Sequence, residues 1–230
     1  MLPPLPSTRR AAQRWHKFSR KSTNLRRGLV TSADTKEALR TLLRETAQPV
    51  AVVTSFYPLN GANDDTQTRF HGATLSSFSS IALDPHPLIA FSLKIPSRMA
   101  NSLKTRMSGQ FSQTPNLVLN LLSSTQATTA MTFARPDLYP NPFQTVEHEL
   151  TEEGLPVLSG SLGALSCSVL SCIPLQTLAG GEVQSPSDGS NLVSELFISR
   201  VLRVETMLKS GLPLLYHRRQ YVSTGHSYAR

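Results

Sequence analysis

Two cysteines in 230 residues leave no room for a disulfide-stapled fold or a thiolate zinc site. Cys167 and Cys172 share one predicted strand without a C-x-x-C pair, and their odd spacing puts them on opposite faces, where they cannot bridge. The six histidines show no H-x-H or H-x-x-x-H spacing, so no metal site is expected. No run of 18 apolar residues occurs, which excludes a membrane-spanning helix. Acid is missing from a whole region, since no Asp or Glu precedes Asp34. Eight of the 23 basic residues lie within residues 1–33, and the 15 that remain match the chain's 15 acids. The net charge of +8 therefore belongs to the first 33 residues, and the balanced remainder offers no nucleic-acid footprint.

What those first residues hold instead is arginine, serine and a short apolar stripe. Ala11, Trp15 and Phe18 fall at i, i+4 and i+7 beside Arg10, Arg14, Lys17 and Lys21. An amphipathic, acid-free, Arg-rich segment over residues 1–33 reads as a mitochondrial transit peptide, with the matrix as destination. A disordered basic arm and a nuclear or RNA-contacting tail are the alternatives. The transit peptide is preferred because Trp15 and Phe18 have no purpose in a solvated arm.

Residues 34–230 read as one domain. Asp34 and Glu37 form an Asp version of a capping box, opening a helix to about Ala47 with Ala38, Leu39, Leu42 and Leu43 on its apolar face. Strands are expected over 50–55, 71–81, 88–93, 117–122, 163–173, 196–204 and 214–222. Met99, Leu103 and Met107 mark a helix from Ser97, and Ser123 with Gln126 caps another through Ala134. Residues 58–68 and 176–191 are polar loops, and 135–154 is irregular, broken by Pro136, Pro140 and Pro142. In the last strand, His217 and Arg219 would share a face, as a charged edge or as contacts to a pyrophosphate or a partner subunit. Strands outnumber helices and most connections are hairpin-length. The fold class is mainly β with flanking helices, an antiparallel barrel of six to seven strands.

The stretch 71–104 is the most informative. Gly72, read as a turn glycine, precedes a hydroxyl cluster of Thr74, Ser76, Ser77, Ser79 and Ser80. A proline-bracketed turn, Asp84 to Pro87, leads into the apolar run 88–93 and then to Lys94, Ser97 and Arg98 at a helix start. Such hydroxyls commonly satisfy nearby backbone, and the cations alone would suit a solvated cap. Together they also suit a flat polar ring carrying a phosphate, because a helix start offers free N–H groups and a positive dipole end.

Seven segments in order carry a resemblance: P-V-A-V-V-T-S (49–55), G-A-T-L-S-S-F-S-S (72–80), F-S-L-K-I-P-S-R (91–98), N-L-V-L-N-L-L-S (116–123), F-A-R-P (133–136), G-L-P-V-L-S-G-S-L (154–162) and P-L-L-Y-H-R-R-Q-Y (213–221). Over roughly residues 45–222 the chain resembles the flavin reductase-like family of FMN-binding split barrels. The resemblance implies a Greek-key-like split β-barrel, FMN as cofactor, NAD(P)H as reductant, and a homodimer with flavin at the interface. By position it assigns Thr74, Ser76 and Ser77, with backbone around Phe78, to the flavin ring. It assigns Ser97 and Arg98, helped by Lys94, to the phosphate, with Phe133 and Ala134 closing the site. Many such reductases carry a G-D-H triplet before a strand, whereas this chain reads G-S-N-L-V-S-E-L-F-I-S-R-V over 189–201. Asn191 cannot titrate as histidine does. An FMN-binding protein with weakened turnover, serving a mitochondrial complex, is the alternative, and a pyridoxamine-phosphate oxidase-like barrel is a further one.

Overall fold

The computed structural model describes residues 32–57, 70–107, 112–178, 193–207 and 211–225. The basic segment with its transit-peptide assignment, the insertion 58–69, and most of the 176–191 loop with Asn191 lie outside the described residues. In chain order the elements are α1 (Ser32–Arg44), β1 (Gln48–Pro49), β2 (Ala51–Phe56), β3 (Phe70–Leu75), β4 (Ser79–Ala82), β5 (Leu88–Ile95), α2 (Arg98–Thr105), β6 (Leu117–Leu121), α3 (Ala127–Ala134), a 3-10 turn at Pro142–Gln144, β7 (His148–Leu150), β8 (Pro156–Leu158), β9 (Gly163–Pro174), α4 (Leu175–Leu178), β10 (Val193–Met207), β11 (Leu215–His217) and β12 (Gln220–Val222). The chain divides into two compact units at Arg40, and the sheets, core and cleft below belong to the second, from Thr41.

Seven strands form one antiparallel sheet in the order β3-β2-β6-β9-β10-β5-β4, curled into a half-barrel. The expected single strand over 71–81 is in fact two. The chain leaves one edge of the sheet at Leu75, crosses the open seam through Ser76, Ser77 and Phe78, and joins the opposite edge at Ser79. The barrel is therefore split rather than closed. Two smaller sheets, β1-β11-β12 and β7-β8, lie outside it.

β2 explains why its sequence is apolar without alternation. Ala51 and Val53 enter the barrel core, while Val50 and Val52 enter a second core under α3. A strand covered on both faces needs no polar face. Inside the barrel, Phe91 and Phe197 stack with centroids 5.6 Å apart. Met99 and Leu103 of α2, both fully buried, join the same core, as their spacing predicted. Asn120, fully buried in the sheet, is paired: it donates to Val52 O and Thr54 Oγ1 and accepts from the Leu158 amide at 2.8 Å.

Several expectations are corrected. The helix before β1 starts at Ser32, so Asp34 stands in its first turn rather than at its cap, and its Leu39, Leu42 and Leu43 are exposed. Of the second capping box only the return half forms: Gln126 Oε1 accepts from the Ser123 amide at 2.9 Å, and Ser123 Oγ meets Thr125 instead. Cys167 and Cys172 share a face. Leu170 is an extra residue in a bulge, so Cys167 sits opposite Val201 and Cys172 opposite Phe197, four positions apart on β10. Both touch the barrel core. Burial, followed by the Glu195 carboxylate, pushes the Cys172 thiol up to about 11. Finally, 214–222 is a hairpin, not a strand. Arg218 and Arg219 form its two-residue turn with φ of 48° and 65°. Paired positive φ values match the twist of a hairpin, a role usually signalled by Asn-Gly. Arg218 is held there by the Glu45 carboxylate and by its own amide donating to Arg44 O at 3.1 Å.

Candidate functional site

The seam creates the site. Between β3 and β4 the ladder is interrupted, and Ser77 fills the gap with its side chain. Its Oγ both donates to Ser92 O and accepts from Ser92 N, each at 3.1 Å, continuing the β4–β5 pairing where the backbone has left it. Thr74 likewise ties β3 to α3, donating to Ala130 O at 2.7 Å. These two hydroxyls thus serve the fold first, and what they present to a ligand is their remaining lone pairs.

α2 starts at the same place. Ser97 has extended backbone angles and its Oγ accepts from the Ala100 amide, capping the helix. A helix's first amides have no partner within the helix, and here those are the amides of Arg98 and Met99. Arg98 and Lys94 are exposed beside them.

A cleft of about 860 Å³ runs along this seam. Of the residues assigned from sequence, Thr74, Ser76, Ser77, Lys94, Ser97, Arg98, Phe133 and Ala134 all line it. Phe78 does not: its ring packs against the barrel core. Ser92, Ser194, Tyr216 and Tyr221 complete the walls. No carboxylate is among the lining residues, so the charged groups are Lys94 and Arg98, and the field favours an anion.

His71 is the residue that the sequence concealed. It lines the cleft and meets Tyr57 edge-on, with centroids 6.0 Å apart. Burial, and behind it the Arg98 guanidinium, pushes its imidazole down to about 4, so it is neutral at pH 7. At the other end of the sheet, Ser199 is fully buried, and the half-buried Arg200 reaches the exposed His86, at 3.0 Å from its Nδ1. Neither stands in for the missing Asp-His pair.

The family model described as "Flavin reductase like domain" matches residues 43–225. The chain belongs to the flavin reductase-like family. Among relatives, this flavin reductase-like chain is 28% identical to an NADH-dependent flavin reductase of Rhodococcus over 67% of its own length and 80% of the relative's. It is 33% identical to a Rhizobium meliloti protein named "Probable flavin reductase" over 57% of its length, and spans 36% of that larger protein. In fold it is similar to an NADH:FAD oxidoreductase of Streptomyces globisporus solved with NAD and FAD fragments, at a TM-score of 0.59 and 21% identity over 83% of this chain and 93% of that one.

Gly72 also proves different from its sequence reading. It lies inside β3 opposite Thr54, not in a turn. The strand needs glycine because Phe133 lies against it: a Cβ there would stand 2.5 Å from Cδ1 and Cε1 of that ring. Phe133 is only 4% exposed and meets Phe143 with centroids 5.1 Å apart, so it has little room to retreat. Gly72→Ala is therefore expected to destabilise the fold by about 1–3 kcal/mol and to deform the cleft wall. Urea denaturation checks this, and an unchanged midpoint would mean that the ring yields freely.

Proposed function

We propose that this chain is an oxidoreductase that binds a flavin nucleotide in the seam cleft and reduces it with NAD(P)H. The observation that carries this reading is the convergence, in one cleft free of carboxylates, of a hydroxyl-bearing seam, a capped helix start, and the cations Lys94 and Arg98. The donor set fits FMN, the smallest flavin that needs both ends. Ser97, Arg98 and Lys94 would hold the phosphate, while Thr74, Ser76 and Ser77, with backbone near Phe78, would face the ring. Phe133 and Ala134 would bound it.

Bound flavin supplies two-electron chemistry as a hydride acceptor. The chain's own residues bind, orient and exclude water. Neutral His71 offers one ring nitrogen as donor and one as acceptor, without a second cation beside Arg98. Hydride transfer requires no protein acid or base, so the absent Asp-His pair is compatible with turnover. The NADH-dependent Rhodococcus relative supports the nicotinamide as reductant.

The test uses the purified full chain. FMN at micromolar concentration should give a bound-flavin visible spectrum, and the loaded protein should oxidise NADH or NADPH. No bound flavin would sink the proposal; bound flavin without oxidation of either would mark a carrier. We further propose a twofold homodimer, the commonest closed assembly. Sedimentation of the FMN-loaded chain as a monomer would overturn that.

A further inference from the structure

One wall of the seam cleft is the hairpin β11–β12, which contributes Tyr216 and Tyr221. The two rings meet with centroids 5.5 Å apart and planes inclined at 60°. The hairpin is held unequally along its length. Its base is anchored by Leu214, buried in the core under α3, whose amide donates to Leu122 O and whose carbonyl accepts from the Val50 amide, each at 3.0 Å. β1 then pairs with it at Leu215 and Tyr216. Its tip is the exposed pair Arg218 and Arg219, with φ of 48° and 65°.

Left-handed backbone crowds the Cβ of any residue but glycine, and such strain persists only where the surroundings impose it. Neither arginine has the short polar side chain with which Asn or Asp settles such a turn locally. Glu45 imposes it from outside. One carboxylate oxygen, Oε2, accepts from Arg218 Nε at 2.9 Å and from Nη2 of the same guanidinium, while the Arg218 amide donates to Arg44 O. Glu45 is itself placed by the end of α1, its amide donating to Leu42 O at 3.0 Å. The Arg218 hydrogen bond holds its carboxyl below the usual carboxylate range, so it stays charged. A surface ion pair contributes little to global stability. Here, however, it bears on a local choice between a strained turn and a relaxed one, and a small bias decides between states of similar energy.

That choice reaches the cleft. His217 pairs with Gln220 to close the turn, and Tyr216 pairs with Tyr221 on the next rung. Turn geometry fixes the register of a hairpin, and a slip of one residue sends each side chain to the other face. Resting on the reading of the seam cleft as a flavin site, we propose that Glu45 is a positioning residue of that site: through Arg218 it holds the strained turn and so sets the tyrosine wall beside the flavin ring. Glu45 does not line the cleft. It acts through the fraction of chains whose wall is in place, and apparent affinity scales with that fraction.

The experiment crosses Glu45→Ala with a turn that needs no clamp, made by Arg218→Asn together with Arg219→Gly, a pair that adopts two positive φ values unaided. Two properties of the full chain are measured: affinity for riboflavin, which carries no charge, and hydrogen exchange of the β11–β12 amides without ligand. With the natural turn, Glu45→Ala is expected to weaken riboflavin roughly fivefold and to speed hairpin exchange by a similar factor. With the substituted turn, the same change should alter neither. Added salt should imitate Glu45→Ala in the natural turn only, because an exposed ion pair is screened. Either property unmoved by Glu45→Ala in a chain that binds riboflavin, or a loss equal in both turns, overturns the proposal. Faster hairpin exchange that the substituted turn cancels, in a chain that takes no flavin, would uphold the clamp and refute the seam cleft as a flavin site.

Discussion

Arg98→Ala is expected to weaken FMN by roughly 10- to 150-fold while leaving riboflavin nearly unchanged. The loss of one charge-assisted hydrogen bond is worth about 1.5–3 kcal/mol, and riboflavin has no phosphate to lose it. Arg98 stands at the first position of α2, where the capping Ser97 leaves the leading amides free to add to its charge. The helix itself should survive, since Arg98 is exposed and the buried face is formed by Met99, Ala100, Ser102 and Leu103. Ser77→Ala provides the contrast. Its hydroxyl bridges both backbone groups of Ser92, so its removal should lower stability by about 1 kcal/mol and weaken both flavins alike. If Arg98→Ala leaves the ratio of FMN to riboflavin affinity where it was, the phosphate lies elsewhere.

Stability should fall as pH drops from 6.5 towards 4, and His71 should carry much of that fall. In the unfolded chain its imidazole titrates near 6.5, whereas in the folded chain burial and Arg98 hold it at about 4. Between those values the unfolded state binds a proton that the folded state refuses, so acid favours unfolding. The difference corresponds to at most about 3 kcal/mol. His71→Gln should flatten this part of the profile. Glu153, pulled down to about 2 mainly by its hydrogen bonds to Arg203, behaves differently. Its contribution is whole above 4.5 and is lost only below that. Urea midpoints at pH 7 and 4.5 for both proteins provide the check, and a slope that survives in His71→Gln would refute the assignment. Arg98→Ala should also let the His71 titration move up, which places the two groups side by side by an independent route.

Much of the seam cleft was legible because its residues lie close together in the chain. Thr74 to Ser77 and Lys94 to Arg98 are two short segments, and a helix cap such as Ser97 announces itself by residue type and position. Local period also predicted the core face of α2 and the strand β5. What stayed hidden depends on contacts between distant segments. The clamp on the hairpin needs residues 45 and 218, which share no spacing. The depressed imidazole of His71 follows from burial, which nothing in its neighbours foretells. Gly72 looked like a turn because a glycine in a strand is informative only once Phe133 is seen lying against it. The bulge at Leu170 and the Arg218-Arg219 turn escaped for a related reason. Each takes a conformation that surrounding pairing imposes and that its own residues do not signal.

The crossing from Leu75 to Ser79 also governs what ligand entry requires of the fold. In a closed barrel, a guest that used main-chain groups would first have to tear pairs apart. Here the two borders of the sheet are consecutive stretches of one chain, separated by three residues. They are tethered like the lips of a purse, unable to drift apart and yet not sewn together. If flavin binds in the seam cleft as proposed, recognition occurs where the backbone's own pairing was left incomplete, and the bound molecule would act there as the missing rung.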